Sequence, residues 1–190
     1  MSSASTLPRR ASARFMAGHP ARWIALGLGS GLSPKAPGTV GTLWAWAAFL
    51  VFDRWLQPQG WAVLIVLAFC LGVWACTRTA RELAMSDPSA IVWDEIVAFW
   101  LVLWLVMPCG WALQTLAFLL FRFFDAVKLG PVAWADAAFK SRPGQPIGWA
   151  QGFGILFDDL VAAGCALLVL ALGVQAWPVV AAWRGSSPLV

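Results

Sequence analysis

Apolar positions along this chain come in long runs, not in alternation. Four such stretches follow a polar start: Val40 to Leu56, Trp61 to Thr77, Ile96 to Phe121 and Leu160 to Trp177. None shows the period-two pattern of a lipid-facing barrel strand, so each reads as helix. A helix that crosses a membrane needs about 20 mostly apolar residues. The second and fourth stretches reach that with modest extension. The first is short and carries Asp53 and Arg54 near its far end, where long polar side chains can snorkel to an interface.

The third stretch decides the topology. It is either one long tilted span or a helical hairpin turning at Pro108-Cys109-Gly110. Asp87 followed by Pro88 reads as a helix start, with the acid as N-cap and the proline at the first helical position. Gly130-Pro131 reads as a stop. Helices over about 88–107 and 111–128 would then be of similar length, and their polar ends would meet at one level. The hairpin is the preferred reading because it gathers the charged groups on one side. It implies a shallow or re-entrant pair instead of two full spans.

Composition sharpens this picture. Hydrophobic residues make up 61% of the 190 positions and charged residues only 12%, against about 25% charged in soluble domains. Lipid is the expected solvent for much of the surface. Tyr is absent while Trp reaches 14. Trp23, Trp55, Trp61, Trp111, Trp134 and Trp177 stand near segment ends, where indole suits a membrane interface; biased codon usage explains the same count equally well.

Charge is sparse and local. The net charge of +4 owes much to Arg9, Arg10, Arg14, Arg22 and Lys35. The Ser- and Arg-rich leader, residues 1–22, is expected to be disordered before about residue 20 and resembles no signal peptide. The excess of positive charge places it in the cytoplasm. A single helical domain is expected over 23–180, with a short tail over 181–190. No dense basic face points to nucleic acid. Cys70, Cys76, Cys109 and Cys165 lack metal-ligand spacing and read as buried reduced thiols. His19 has no partner histidine. Arg78, Arg81 and Glu82 read as structural, with Arg78 and Glu82 a helix-spaced pair.

Four constellations interrupt the apolar background. Residues 29–42, Gly-Ser-Gly-Leu-Ser-Pro-Lys-Ala-Pro-Gly-Thr-Val-Gly-Thr, run a Gly- and Pro-rich loop into a helix. A helix start presents free N–H groups and a positive dipole end to a phosphate. Lys35 adds a charge, and Thr39 and Thr42 add hydroxyls; the bland reading makes Thr39 an N-cap. Asp94 and Glu95 are adjacent acids before an apolar run, costly there unless paired or liganded. They suit a hard cation such as Mg²⁺ or an ion pair with an arginine. Arg122, Asp125 and Lys128 are spaced by three, so they form either a salt-bridge ladder or a phosphate grip with Asp125 turned to metal or water. Asp158 and Asp159 repel one another, with no basic residue in the two dozen positions that follow. A cation or a distant arginine must compensate them. Gly152 and Gly154 just before them would let backbone approach closely.

These four stretches, in this order, resemble the phosphatidylglycerophosphatase A family. The matching elements are residues 29–42, Asp-Pro-Ser-Ala-Ile-Val-Trp-Asp-Glu-Ile-Val at 87–97, Phe-Arg-Phe-Phe-Asp-Ala-Val-Lys at 121–128, and Gly-Phe-Gly-Ile-Leu-Phe-Asp-Asp-Leu-Val-Ala-Ala-Gly at 152–164. Two positions depart from the family pattern: Lys128 is followed by Leu129-Gly130-Pro131 instead of Pro, and Gln151 stands where a second Gly is common.

The resemblance implies an all-α, polytopic membrane helical bundle with a charged site at one membrane face. It implies removal of the terminal phosphate from phosphatidylglycerophosphate, with Mg²⁺, at the bacterial inner membrane and on its cytoplasmic side. The expected metal ligands are Asp94, Glu95, Asp158 and Asp159, with Asp125 as a further catalytic acid. The expected phosphate-binding groups are Lys35, Thr39, Thr42, Arg122 and Lys128. The rival reading, a transporter or channel with the acids as an ion path, wants charges at mid-membrane, whereas these fall at segment ends.

Overall fold

The computed structural model describes residues 11–140 and 146–185, all helix and loop with no strand among them. The order is α1 (Ala13–Ala17), α2 (Pro20–Ala25), a 3₁₀ stretch (Gly27–Leu32), α3 (Pro37–Phe52), α4 (Pro58–Leu83), α5 (Trp93–Val106), α6 (Trp111–Val127), α7 (Pro131–Ala138) and α8 (Trp149–Gly185). Proline opens α2, α3, α4 and α7. Its fixed φ suits the first helical turn, where its missing N–H costs no bond.

The third apolar stretch folds as the hairpin. Helices α5 and α6 part at Met107–Gly110, which includes a cis Met107–Pro108 bond. Gln114, buried at the start of α6, ties this corner together. Its amide donates to the Cys109 carbonyl at 3.0 Å, while its oxygen accepts the Trp46 indole N–H at 2.7 Å. The expected start of α5 is corrected. Pro88 opens a turn closed by Ile91 N–H to Pro88 O, 2.9 Å. Val92 N–H then donates to Ala25 O at 3.0 Å. The end of α2 thus takes the backbone bond that would have extended the helix backward, and α5 begins at Trp93.

Packing centres on α5, which touches α3, α4, α6 and α8. Ile96, Val97, Phe99, Val102 and Leu103 are fully buried along it, as is Val92 just before it. Trp61 is core, not interface: it is 1% exposed, stacks on Phe49 at 4.2 Å and donates to Asp53 at 2.9 Å. Asp53 therefore has a partner at the head of α4. Trp23, Trp55, Trp111 and Trp134 are exposed, and the Trp177 side chain lies outside the described residues.

Two helices, Pro58–Leu83 and Trp149–Ala176, are long and apolar enough to cross a membrane. At a rise of about 1.5 Å per residue, α3, α5 and α6 reach only about 21–26 Å. Apolar side chains point outward on three helices: Val63, Val66 and Leu67 on α4, Leu116 and Leu119 on α6, and Leu168 and Leu172 on α8.

The described part of the leader, residues 11–22, departs from expectation. Residues 1–10 lie outside the described residues, but from Ala13 the chain is helical, and Ser12 caps α1. Phe15 and Met16 bury against Leu26 and Leu83. Arg22 bridges to Glu82 at 2.6 Å, and Glu82 also takes Arg78 at 3.2 Å. His19 caps α2 through its ring nitrogen. All four cysteines are free thiols, but only Cys76 is fully buried, and Cys70 is exposed. At the other end α8 runs on to Gly185, past the domain end expected at residue 180.

Candidate active site

The chain runs up and down, so the starts of α3 and α5, the end of α6 and the first part of α8 come to one end of the bundle. Asp94 and Glu95 lie in the first turn of α5, where the helix dipole favours acids. Asp159 lies on α8. One carboxylate oxygen from each of these three residues can be chosen so that all lie within 4.8 Å of one another. Glu95 and Asp159 are 9% and 3% exposed. Asp94 Oδ1, Glu95 Oε2 and Asp159 Oδ2 are buried and have no hydrogen-bond partner among the described residues.

Orphaned buried carboxylate oxygens are expensive. Three such carboxylates, each offering one oxygen within 4.8 Å of the others, form the oxygen-only donor set that a hard divalent cation takes. The residues therefore fit Mg²⁺.

A cationic group lies beside the acids. Arg122, in the last turns of α6, pairs with Asp125 one turn on and sits 3.6 Å from Glu95 Oε1. Its Nε is buried and unpartnered. The start of α3 closes against this pair. A Cβ placed on Gly38 would collide with Glu95 Oε1 and come within 3.0 Å of an Arg122 nitrogen. Only glycine lets the α3 terminus approach so closely.

Asp158 goes elsewhere. Successive residues on a helix point about 100° apart, so two adjacent acids on α8 meet different partners. Asp158 accepts from Lys128 Nζ at 2.7 Å, and Lys128 also reaches Asp136 on α7 at 2.5 Å. Asp136 takes Lys140 as well. Burial alone would depress the Lys128 pKa, but the two carboxylates override it and raise it above its ordinary value. Burial opposes the charge on Asp136 in the same way, yet Lys128 and Lys140 hold its carboxyl below the usual range. Lys128 and Asp136 each hold the other in its charged form.

Of the residues expected at the site, the structure gathers Asp94, Glu95, Asp159, Arg122 and Asp125. Asp158 and Lys128 form the neighbouring cluster. Thr39 is not the N-cap; Ala36 holds that place in a left-handed conformation, φ 45°. Thr42 donates its hydroxyl proton to Gly38 O at 2.8 Å, which steadies the α3 start. Lys35 lies exposed in the loop before α3. Gly152 and Gly154 do allow close approach, but to protein: added Cβ atoms would strike Thr77 of α4 and Phe139 after α7.

Sequence reasoning missed Asp136, Lys140 and the whole of α7. The i, i+4 spacing of Asp136 and Lys140 was the available signal. Gln151, the departure from family pattern, accepts from Gly148 N–H at 2.7 Å and donates to Phe139 O at 3.3 Å, so it pins the loop to α8.

Residues 23–174 match the phosphatidylglycerophosphatase A family. The chain is 33% identical to phosphatidylglycerophosphatase A of Escherichia coli K12 over 90% of its own length and 95% of that protein. It is 33% identical to phosphatidylglycerophosphatase A of Haemophilus influenzae Rd, over 84% of this chain and 91% of the relative. A putative phosphatidylinositol-3-phosphatase of Bacteroides thetaiotaomicron is 35% identical over 78% of this chain and 90% of the relative. No solved structure matches. With four motifs in family order and three of their acids converging beside Arg122, the chain belongs to the phosphatidylglycerophosphatase A family.

Proposed function

We propose that this chain is a multi-pass inner-membrane phosphatase that hydrolyses phosphatidylglycerophosphate to phosphatidylglycerol with Mg²⁺, its site facing the cytoplasm. The observation that carries the reading is the set of three carboxylates, each with a buried unpartnered oxygen, beside an arginine. Family membership and the names of two relatives support the substrate. The outward apolar faces of α4 and α8 support the bilayer. Lys35, Arg14 and Arg22 at the site's end of the chain support the cytoplasmic side.

Asp94, Glu95 and Asp159 would hold the ion. When bound, it supplies Lewis-acid polarisation of the phosphoryl group and a more acidic water. Arg122 neutralises charge that grows on the phosphoryl oxygens, from a position already fixed by Asp125 and Glu95. The start of α3 lies against the same residues through Gly38, and the free N–H groups of a helix start favour an anion. Asp125 accepts the proton of the attacking water. The new bond joins water oxygen to phosphorus, the ester bond breaks, and the departing glycerol oxygen takes up a proton.

Phosphate release from purified protein in mixed micelles tests this. Phosphatidylglycerophosphate, phosphatidylinositol 3-phosphate and phosphatidic acid are compared with Mg²⁺ and with EDTA. The expected result is turnover of the first, abolished by EDTA. Preference for the inositol lipid would transfer the reading to the activity after which the Bacteroides relative is named. Ion flux in proteoliposomes without phosphate release would support the transporter instead.

A further inference from the structure

We infer that Asp136 on α7 is a positioning residue for phosphate recognition, acting with Asp158 to clamp the Lys128 ammonium. This rests on the phosphatase reading above. Lys128 closes α6 in a left-handed conformation, φ 48°. Its side chain then reaches two carboxylates from different elements, Asp158 on α8 at 2.7 Å and Asp136 on α7 at 2.5 Å. An ammonium has three N–H donors. Two are spent on the clamp and one remains for an anion. The side chain is 30% exposed, whereas those of Asp136 and Asp158 are 15% and 9% exposed. The two acids are less exposed than the cation between them, and the cation is the part that opens outward.

A free lysine is a flexible point charge, and freezing its rotamers on binding costs affinity. A lysine already held by two acids has little of that freedom left to lose. The strap that carries Asp136 is itself anchored. Val132 and Ala135 are buried, Phe139 packs at Gly154, and Gln151 holds the Phe139 carbonyl. Lys140 balances the second carboxylate oxygen of Asp136, so the four groups sum to zero charge before any ligand arrives. The clamp also explains why adjacent acids on α8 coexist: Asp159 turns to the three-carboxylate group and Asp158 to Lys128.

The test uses the full chain in micelles, with inorganic phosphate as probe. Its dissociation constant is read by ³¹P line broadening in Mg²⁺, beside KM, kcat and the half-saturating Mg²⁺ concentration. Asp136→Asn is expected to weaken phosphate binding and raise KM about tenfold, the scale of one charge-assisted hydrogen bond, with kcat within about threefold. Mg²⁺ half-saturation stays put. Asp136→Ser serves the same purpose should the first variant not fold. Asp136→Glu restores most of the affinity. In a Lys128→Met background, Asp136→Asn adds less than about twofold, because its target is gone. Additive losses in that double variant overturn the clamp, as does a lowered melting temperature with an unchanged phosphate constant. A wild type that releases no phosphate overturns the phosphatase reading and the clamp with it. An active wild type whose constants ignore Asp136 overturns the clamp alone.

Discussion

At the scale of single residues, Gly38 is the most exposed to test. Its Cα lies against Glu95 and Arg122 with no room for a methyl group. Gly38→Ala is therefore expected to cut kcat/KM by at least about tenfold through a displaced Glu95 or Arg122, since small misplacements near reacting groups are costly. The melting temperature should stay within a few degrees, because the change sits at a helix end. Thr42→Ala is expected to be milder, at roughly twofold to fivefold, since the hydroxyl serves Gly38 O and one neutral hydrogen bond is worth about 1 kcal/mol. Steady-state kinetics on folded protein decides both. The acids were legible because unpaired carboxylates beside apolar runs demand an explanation. Their division was not. Adjacency in sequence suggested that Asp158 and Asp159 share an ion, whereas helical geometry sends them about 100° apart.

At the scale of elements, the hairpin was legible and α7 was not. Pro108 and Gly110 interrupt a long apolar run, which marks a corner. Helix α7 is eight residues long, too short for a periodic pattern and without an apolar run to announce it. Its place is set by contacts that sequence does not display, chiefly Phe139 against Gly154. The start of α5 was misplaced for a similar reason: the Val92 N–H bonds to Ala25 O, a tertiary contact. Glycines at helix crossings give a stability test. A Cβ at Gly152 would stand 2.8 Å from Thr77 Cβ and from Val73 O. Gly152→Ala should pry α4 from α8 and cost about 1–3 kcal/mol, as overpacking does, seen as a lower melting temperature in micelles.

The strap has a pH signature. Asp136 is depressed below its ordinary 3.8, so its contribution is present above that value and fades as pH falls through the lower folded pKa. Lys128 is raised above its ordinary 10.5, so its contribution is full below that value and is lost only as pH rises past the folded one. Hydrogen exchange in 131–140 should thus show pH-independent protection, after correction for intrinsic rates, between about pH 7 and 10. Loosening near neutrality would contradict the pairing.

At the scale of the molecule, the bundle separates two ends. One carries the acids, Arg122 and the Lys128 cluster. The other carries the Asp53–Trp61 pair and the Gln114 corner. Single cysteines placed at Lys35 and at Arg54 in a cysteine-free background should label from opposite sides of oriented vesicles, the first from the cytoplasmic side. The helical class and the membrane preference were plain in composition and run length. The short helices over 13–25 were not, because their burial depends on Phe15 and Met16 meeting Leu26 and Leu83, and Arg22 meeting Glu82.

Direct measurement of cation binding bears hardest on the whole. Mn²⁺ stands in for Mg²⁺ and is followed by electron paramagnetic resonance on the purified full chain, in wild type, Asp159→Asn and Asp158→Asn. The expected result is one class of tight site in wild type, weakened at least about tenfold by Asp159→Asn and nearly untouched by Asp158→Asn. Equal losses in the two variants, or no tight site in the wild type, would contradict the convergence of Asp94, Glu95 and Asp159 on a single ion.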